Sequence, residues 1–132
     1  MVVRVVMLLR RYAGVVRGLF WAAAAFAFVM ASLPKPPQIP GDPGDKVQHI
    51  IAFAVLGCLA RLGWTQVSGW RLLAGLSAFG ALIELVQAIP ALNRHADWVD
   101  WAADTVAAGC VLGMAALVRK MVPAAGIEPA TP

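Results

Sequence analysis

Four long apolar blocks, separated by short polar breaks, account for most of the chain. The first runs from Gly18 to Leu33 and, with part of the stretch before it, predicts helix 1. Pro34, Pro36 and Pro37 end it, because proline lacks the backbone donor and clashes with the preceding turn. The second block, about Lys46 to Trp64, has a continuously apolar middle, IIAFAVLGCLA. The third, about Arg71 to Ile89, is apolar except for Ser77, Glu84 and Gln87, and Pro90 closes it. The fourth, about Trp98 to Val118, carries Asp100 and Asp104 near its start and is followed by Arg119 and Lys120. A helix of roughly 20 residues crosses the hydrocarbon core of a bilayer. The pattern therefore predicts an all-α fold, an integral membrane bundle of four transmembrane helices over residues 1–120, with no room for a second domain. Between the blocks lie PKPPQIPGDPGDK at 34–46, an extended polar loop, TQVSGW at 65–70, a short turn, and ALNRHAD at 91–97. Asp45 is positioned to cap helix 2. The Pro- and Ala-rich residues 121–132 are expected to form a disordered tail.

Composition strengthens the membrane reading. Hydrophobic residues make up 61% of the 132 positions and charged ones 14%, whereas a soluble globule carries roughly a quarter charged. The net charge of +4 does not make a nucleic-acid binder, because the basic residues sit at block ends rather than in one stripe interleaved with aromatics. The expected partner is the lipid bilayer, and nucleic acid is excluded.

The distribution of Lys and Arg orients the bundle. With the N-terminus inside, eight fall on inner segments (Arg4, Arg10, Arg11, Arg17, Arg61, Arg71, Arg119 and Lys120) and three on outer ones (Lys35, Lys46 and Arg94). Both termini are therefore expected in the cytoplasm, with the chain in the inner or plasma membrane. The first 17 residues read as a basic segment lying against that membrane. A competing reading takes residues 1–31 as a cleaved signal peptide, against which the long basic region counts. Trp64, Trp70, Trp98 and Trp101 fall at span ends, as interface anchors do. Cys58 and Cys110 lie inside apolar blocks without a CxxC motif and read as small buried hydrophobes, not as a disulfide.

The acids are not spread evenly. Six of seven, namely Asp42, Asp45, Glu84, Asp97, Asp100 and Asp104, fall towards the outer end, as do His49 and His95. Asp45 and His49 are four residues apart, Glu84 and Gln87 three, and Asp97, Asp100 and Asp104 follow i, i+3, i+7, so each group shares a helix face. Glu84 lies six residues before Pro90, roughly 9 Å along the axis. Ionisable groups at that depth are costly against lipid and should face the bundle interior or a wet cavity. The expected site is an outward-facing polar pocket between helices 2, 3 and 4. His49, Glu84, Gln87, Asp100 and Asp104 would line it, with Asp45, Lys46, Arg94 and Asp97 at its rim.

Plainer roles compete: His49 against lipid headgroups, Glu84 in an interhelical hydrogen bond with Gln87, Asp97 and Asp100 as cap and first-turn acid, Arg94 and His95 as loop residues. No HExxH or ExxH pair is present, so neither a metal nor another cofactor is expected. Ser77 has no evident helper for acyl-enzyme chemistry, while acid–base chemistry by His49 or Glu84 stays open.

Three blocks carry a family resemblance. DKVQHIIAFAVLG at 45–57, GALIELVQ at 80–87 and RHADWVDWAADTVAAG at 94–109 resemble, in order and spacing, the motifs of VanZ-like membrane proteins. The resemblance covers about half the chain. It implies a four-span bundle and a link to resistance to glycopeptide antibiotics, notably teicoplanin, but no defined activity. Asp104 stands where Asn is frequent in that family, and Ala107 where Gly is frequent. The expected function is binding of a cell-envelope component, such as a lipid-linked precursor, at the outward pocket. An enzyme acting on a lipid-linked or peptidoglycan precursor and a small proton-linked carrier are the alternatives, so whether the chain is an enzyme stays open.

Overall fold

A computed structural model describes residues 1–35, 40–41 and 44–121, leaving aside the side chains of Val2, Val6 and Leu9. Four helices run through it: α1 (Val2–Ser32), α2 (Gly44–Gly63), α3 (Gly69–Gln87) and α4 (Trp98–Met121). A short 3-10 turn, Pro90–Leu92, joins α3 to α4. All four helices are long and apolar enough to cross a membrane, and no strand occurs among the described residues. The chain is an all-α, multi-pass membrane bundle. Pro36, Pro37, Asp42 and the tail from residue 122 lie outside the described residues.

The element ends differ from expectation in instructive ways. The basic N-terminal segment is not separate, because α1 is one helix of 31 residues. Its first 17 residues hold no proline and a single glycine, Gly14, so nothing interrupts propagation. At α2, Gly44 takes φ 68°, a left-handed backbone that glycine adopts freely. It occupies the helix entry, and Asp45 falls in the first turn rather than at the cap. There a carboxylate still complements the helix dipole. Ser68 caps α3 by accepting the Arg71 N–H at 3.4 Å. Asp97 caps α4: its Oδ1 accepts the Val99 N–H at 2.9 Å and its carbonyl accepts the Asp100 N–H at 2.8 Å.

Small residues set the packing. α2 is central and turns one face inward: His49, Phe53, Leu56, Gly57, Ala60 and Gly63 recur every three or four residues. α3 answers with Leu76, Gly80, Ile83, Glu84 and Gln87, and α4 with Asp100, Asp104, Ala108 and Leu112. Among the described residues, α1 contributes Ala24 and Ala31 to the buried core. It is nonetheless tied in at two points: Arg17 Nε donates to the Gly63 carbonyl at 2.7 Å, and Gln87 Nε2 donates to the Ala31 carbonyl at 3.1 Å. Removing residues 1–31 as a leader would strip both bonds. Because Arg17 meets the last residue of α2, the part of α1 before it overhangs the bundle by roughly 22 Å.

The bundle exterior is rich in exposed large apolar side chains, among them Leu19, Phe26, Val55, Leu85, Val106 and Leu117. Water would penalise such a surface, and lipid does not. Cys58 and Cys110 belong to it. Both are exposed and unbridged rather than buried, since an apolar residue in lipid need not point inward. The tryptophans divide. Trp70 and Trp98 are exposed at helix ends, as anchors are. Trp64 instead packs edge-on against Phe20 at 5.1 Å under the Arg17 guanidinium. Trp101 reaches between α3 and α4, and its indole N–H donates to the Ser77 carbonyl at 3.0 Å.

Gly80 is where α2, α3 and α4 converge most tightly. A Cβ there would lie 3.3 Å from Trp101 Cδ1 and 3.4 Å from Phe53 Cζ. Gly80→Leu is expected to destabilise the bundle by about 1–3 kcal/mol, read as a lowered unfolding midpoint in detergent. Gly75→Ala, which adds a Cβ into open space, is expected to leave that midpoint unchanged or raise it.

Candidate functional site

The first turns of α2, the last turns of α3 and the first turns of α4 meet at one end of the bundle. Each polar residue arrives there through the helix periodicity that buries its apolar neighbours. Glu84 follows Ile83 and Gly80 on the inner face of α3, and Asp100 and Asp104 continue the Ala108–Leu112 face of α4. His49 stands one turn before Phe53 on α2.

The contacts form layers. Outermost, Arg94 Nη2 lies 3.3 and 3.4 Å from the two carboxylate oxygens of Asp45. Lys46 Nζ pairs with Asp100 Oδ1 and lies 3.5 Å from Asp97 Oδ2. Deeper, His49 Nδ1 meets Asp104 Oδ2 at 3.2 Å, with side-chain exposures of 8% and 1%. Glu84, at 0% exposure, accepts the Asp97 backbone N–H at 2.7 Å through Oε2. A charged residue on α3 is thus tied to the cap of α4.

Two oxygens in this cluster, Glu84 Oε1 and Asp104 Oδ1, are buried without a hydrogen-bond partner. They leave the network short of donors. A hydrogen-bonding species that satisfies them must bring a proton or an N–H or O–H group.

Eight of the nine expected site residues come together in this way. Gln87 does not: it turns away from Glu84 and bonds the α1 backbone at Ala31. His95 is an exposed loop residue. Ser77 meets a hydroxyl rather than a base: its Oγ lies 3.0 Å from Thr105 Oγ1, which itself donates to the Trp101 carbonyl at 3.0 Å. The pair joins α3 to α4. Among the described residues, no three His, Cys, Asp or Glu side chains are grouped to hold a metal ion.

The open space lies elsewhere than expected. At the junction of α2, α3 and α4 the side chains interlock, and Glu84, Gln87, Asp100 and Asp104 do not line the cleft beside it. That cleft, of about 440 Å3, opens between α1 and α2. Its walls are apolar, with Phe26, Ala27 and Met30 on α1 facing Ile51, Ala52 and Val55 on α2. One end is polar, formed by Asp45, Gln48, His49 and Arg94. The physical reason is side-chain volume. Carboxylates, lysine and imidazole fill the inner junction, while alanines at 23, 27 and 31 leave α1 without bulk opposite α2. The alanine-rich stretch of α1 was the available signal, and Gln48, adjacent to His49, was the residue it would have added.

His49 belongs to both regions. Asp104 holds its Nδ1 edge, and the residue lines the cleft with Nε2 free of any partner among the described residues. A carboxylate on one ring nitrogen fixes the ring and favours the tautomer whose other nitrogen accepts a proton. The arrangement can therefore bind a polar group at the cleft mouth or take a proton from it. No family model, curated protein or solved structure matches the chain.

Asp104 and His49 should behave as one unit. His49→Ala, which leaves Asp104 buried with neither oxygen paired, is expected to cost about 3 kcal/mol of stability. Adding Asp104→Ala should recover part of that loss. A double-mutant cycle by reversible unfolding in mixed micelles is expected to give a coupling of at least about 1 kcal/mol, and additive losses would show that the contact carries no energy.

Proposed function

We propose that the chain is a VanZ-like protein of the inner or plasma membrane, with both termini cytoplasmic, that binds an amphiphilic cell-envelope component at its outward-facing end. The observation that carries this reading is the α1–α2 cleft: apolar along its length, polar at one end, and about 440 Å3 in volume. Ligand sites of this kind occupy roughly 300–1,000 Å3 and combine apolar walls with a few fixed polar groups. A hydrocarbon chain would lie between Ala27 and Ala52, and its head group would meet Arg94, Gln48 and His49. The carboxylate-rich surroundings favour a head group rich in N–H or O–H donors, such as the amines and sugars of a lipid-linked envelope precursor. The orientation rests on the Lys and Arg distribution, and the link to glycopeptide resistance rests on the three motif blocks.

A second reading is enzymatic, and the Asp104–His49 pair favours it. With Nε2 directed to a bound precursor, His49 would act as general base on a hydroxyl or water at the cleft mouth.

Two experiments separate these readings. Native mass spectrometry of the full chain in mild detergent is expected to show a retained envelope lipid, lost by about tenfold or more in Ala27→Trp/Ala52→Trp. Equal retention by the filled variant would end the binding reading. Turnover of a lipid-linked precursor by the purified protein, falling about 100-fold or more in His49→Ala, would establish the enzymatic one. Reporter fusions at residues 40 and 93 should register outside and one at 66 inside, and the reverse pattern would overturn the orientation.

A further inference from the structure

The end of the bundle opposite the carboxylates has the reverse charge. Arg17, Arg61, Arg71, Arg119 and Lys120 lie there, and among the described residues no Asp or Glu does. Between the α2–α3 turn and the last turns of α4 is a hollow of about 300 Å3. Arg61 and Arg119 face it together with the hydroxyl residues Thr65 and Ser68, while Leu112 and Ala116 supply an apolar wall.

Arg61 is fixed in place. Its Nη2 donates to the carbonyls of Trp64 and Val67 at 2.7 and 2.8 Å, so the guanidinium is a strut of the turn with Nη1 and Nε still to be used. Arg119 is exposed and has no ion pair or side-chain hydrogen bond among the described residues. Two guanidinium groups thus share one hollow with no Asp or Glu beside them among the described residues, and a bound anion would offset their mutual repulsion. The start of α3, at Ser68 and Gly69, adds the positive end of a helix dipole to the same space.

We propose that this hollow binds the phosphate of an anionic membrane lipid, held by Arg61 and Arg119 and by the hydroxyls of Thr65 and Ser68. Guanidinium groups bind phosphate through short, charge-assisted hydrogen bonds. The lipid source follows from the wall. The exposed Ala116, backed by the buried Leu112, offers apolar surface that an inorganic phosphate does not need and an acyl chain does. The position agrees, because the hollow sits at the ends of three spans, at the depth of headgroups. This site is independent of the α1–α2 cleft and of the function proposed for it.

The test is native mass spectrometry of the full chain in mild detergent, titrated with phosphatidylglycerol or with phosphatidylcholine of the same acyl chains. Phosphatidylglycerol is expected to be retained about tenfold more strongly. Arg119→Gln, which breaks no hydrogen bond or ion pair among the described residues, should abolish that preference. Arg11→Gln, an equal charge loss on the overhang of α1, should keep it. Equal retention of the two lipids, or a preference that survives Arg119→Gln, would overturn the site. Displacement of the lipid by millimolar inorganic phosphate would overturn the lipid as its occupant.

Discussion

Two carboxylates, Glu84 and Asp104, are almost wholly enclosed in a bundle whose outer surface is hydrocarbon, and the polar end of the structure is organised around keeping them there. Without partners they would be among the most expensive groups in the chain. Their donors come from two different elements, the imidazole of His49 on α2 for Asp104 and the Asp97 backbone N–H at the cap of α4 for Glu84, and at the margin the ammonium of Lys46, also on α2, pairs with Asp100 on α4. Each bond therefore joins two helices. The electrostatic requirement and the mutual placement of α2, α3 and α4 are the same fact seen twice.

That enclosure divides labour within the site. The carboxylates do not touch the cleft, and the cleft is mostly apolar. His49 alone is held by the buried network on one ring edge and lines the open space with the residue's other edge unpartnered. A ligand in the cleft would sense the enclosed charges through one imidazole and, at the rim, through the Asp45–Arg94 pair.

The spans were legible because lipid enforces an unbroken apolar run of fixed length, and the chain interrupts those runs with proline, glycine and charge. The clustering of Asp45, His49, Glu84, Asp97, Asp100 and Asp104 was legible for a related reason: helical spacing puts each set on one face, and charges at depth must turn inward. The cleft was not legible. Its place depends on how α1 leans on α2, which is set by volume differences between alanine-bearing and bulkier faces rather than by polarity. Gln87 escaped for the same reason, since its partner is a carbonyl on α1 whose proximity no spacing within α3 reveals. Cys58 and Cys110 were misplaced by carrying a rule for water into lipid, where apolarity does not distinguish inside from outside.

The bond between Arg17 and Gly63 also has a mechanical meaning. Arg17 is the midpoint of α1, with equal arms of about 22 Å on either side. One arm overhangs the bundle; the other forms a wall of the cleft and is latched at its tip by Gln87 to Ala31. The helix is a rod on a fulcrum. A sideways load on the overhang, which carries Arg4, Arg10 and Arg11, would be borne beyond the fulcrum by the Gln87–Ala31 bond together with the packing of Ala24, Phe28 and Ala31 on the core, so the cleft wall is the part of the helix that such a load would strain.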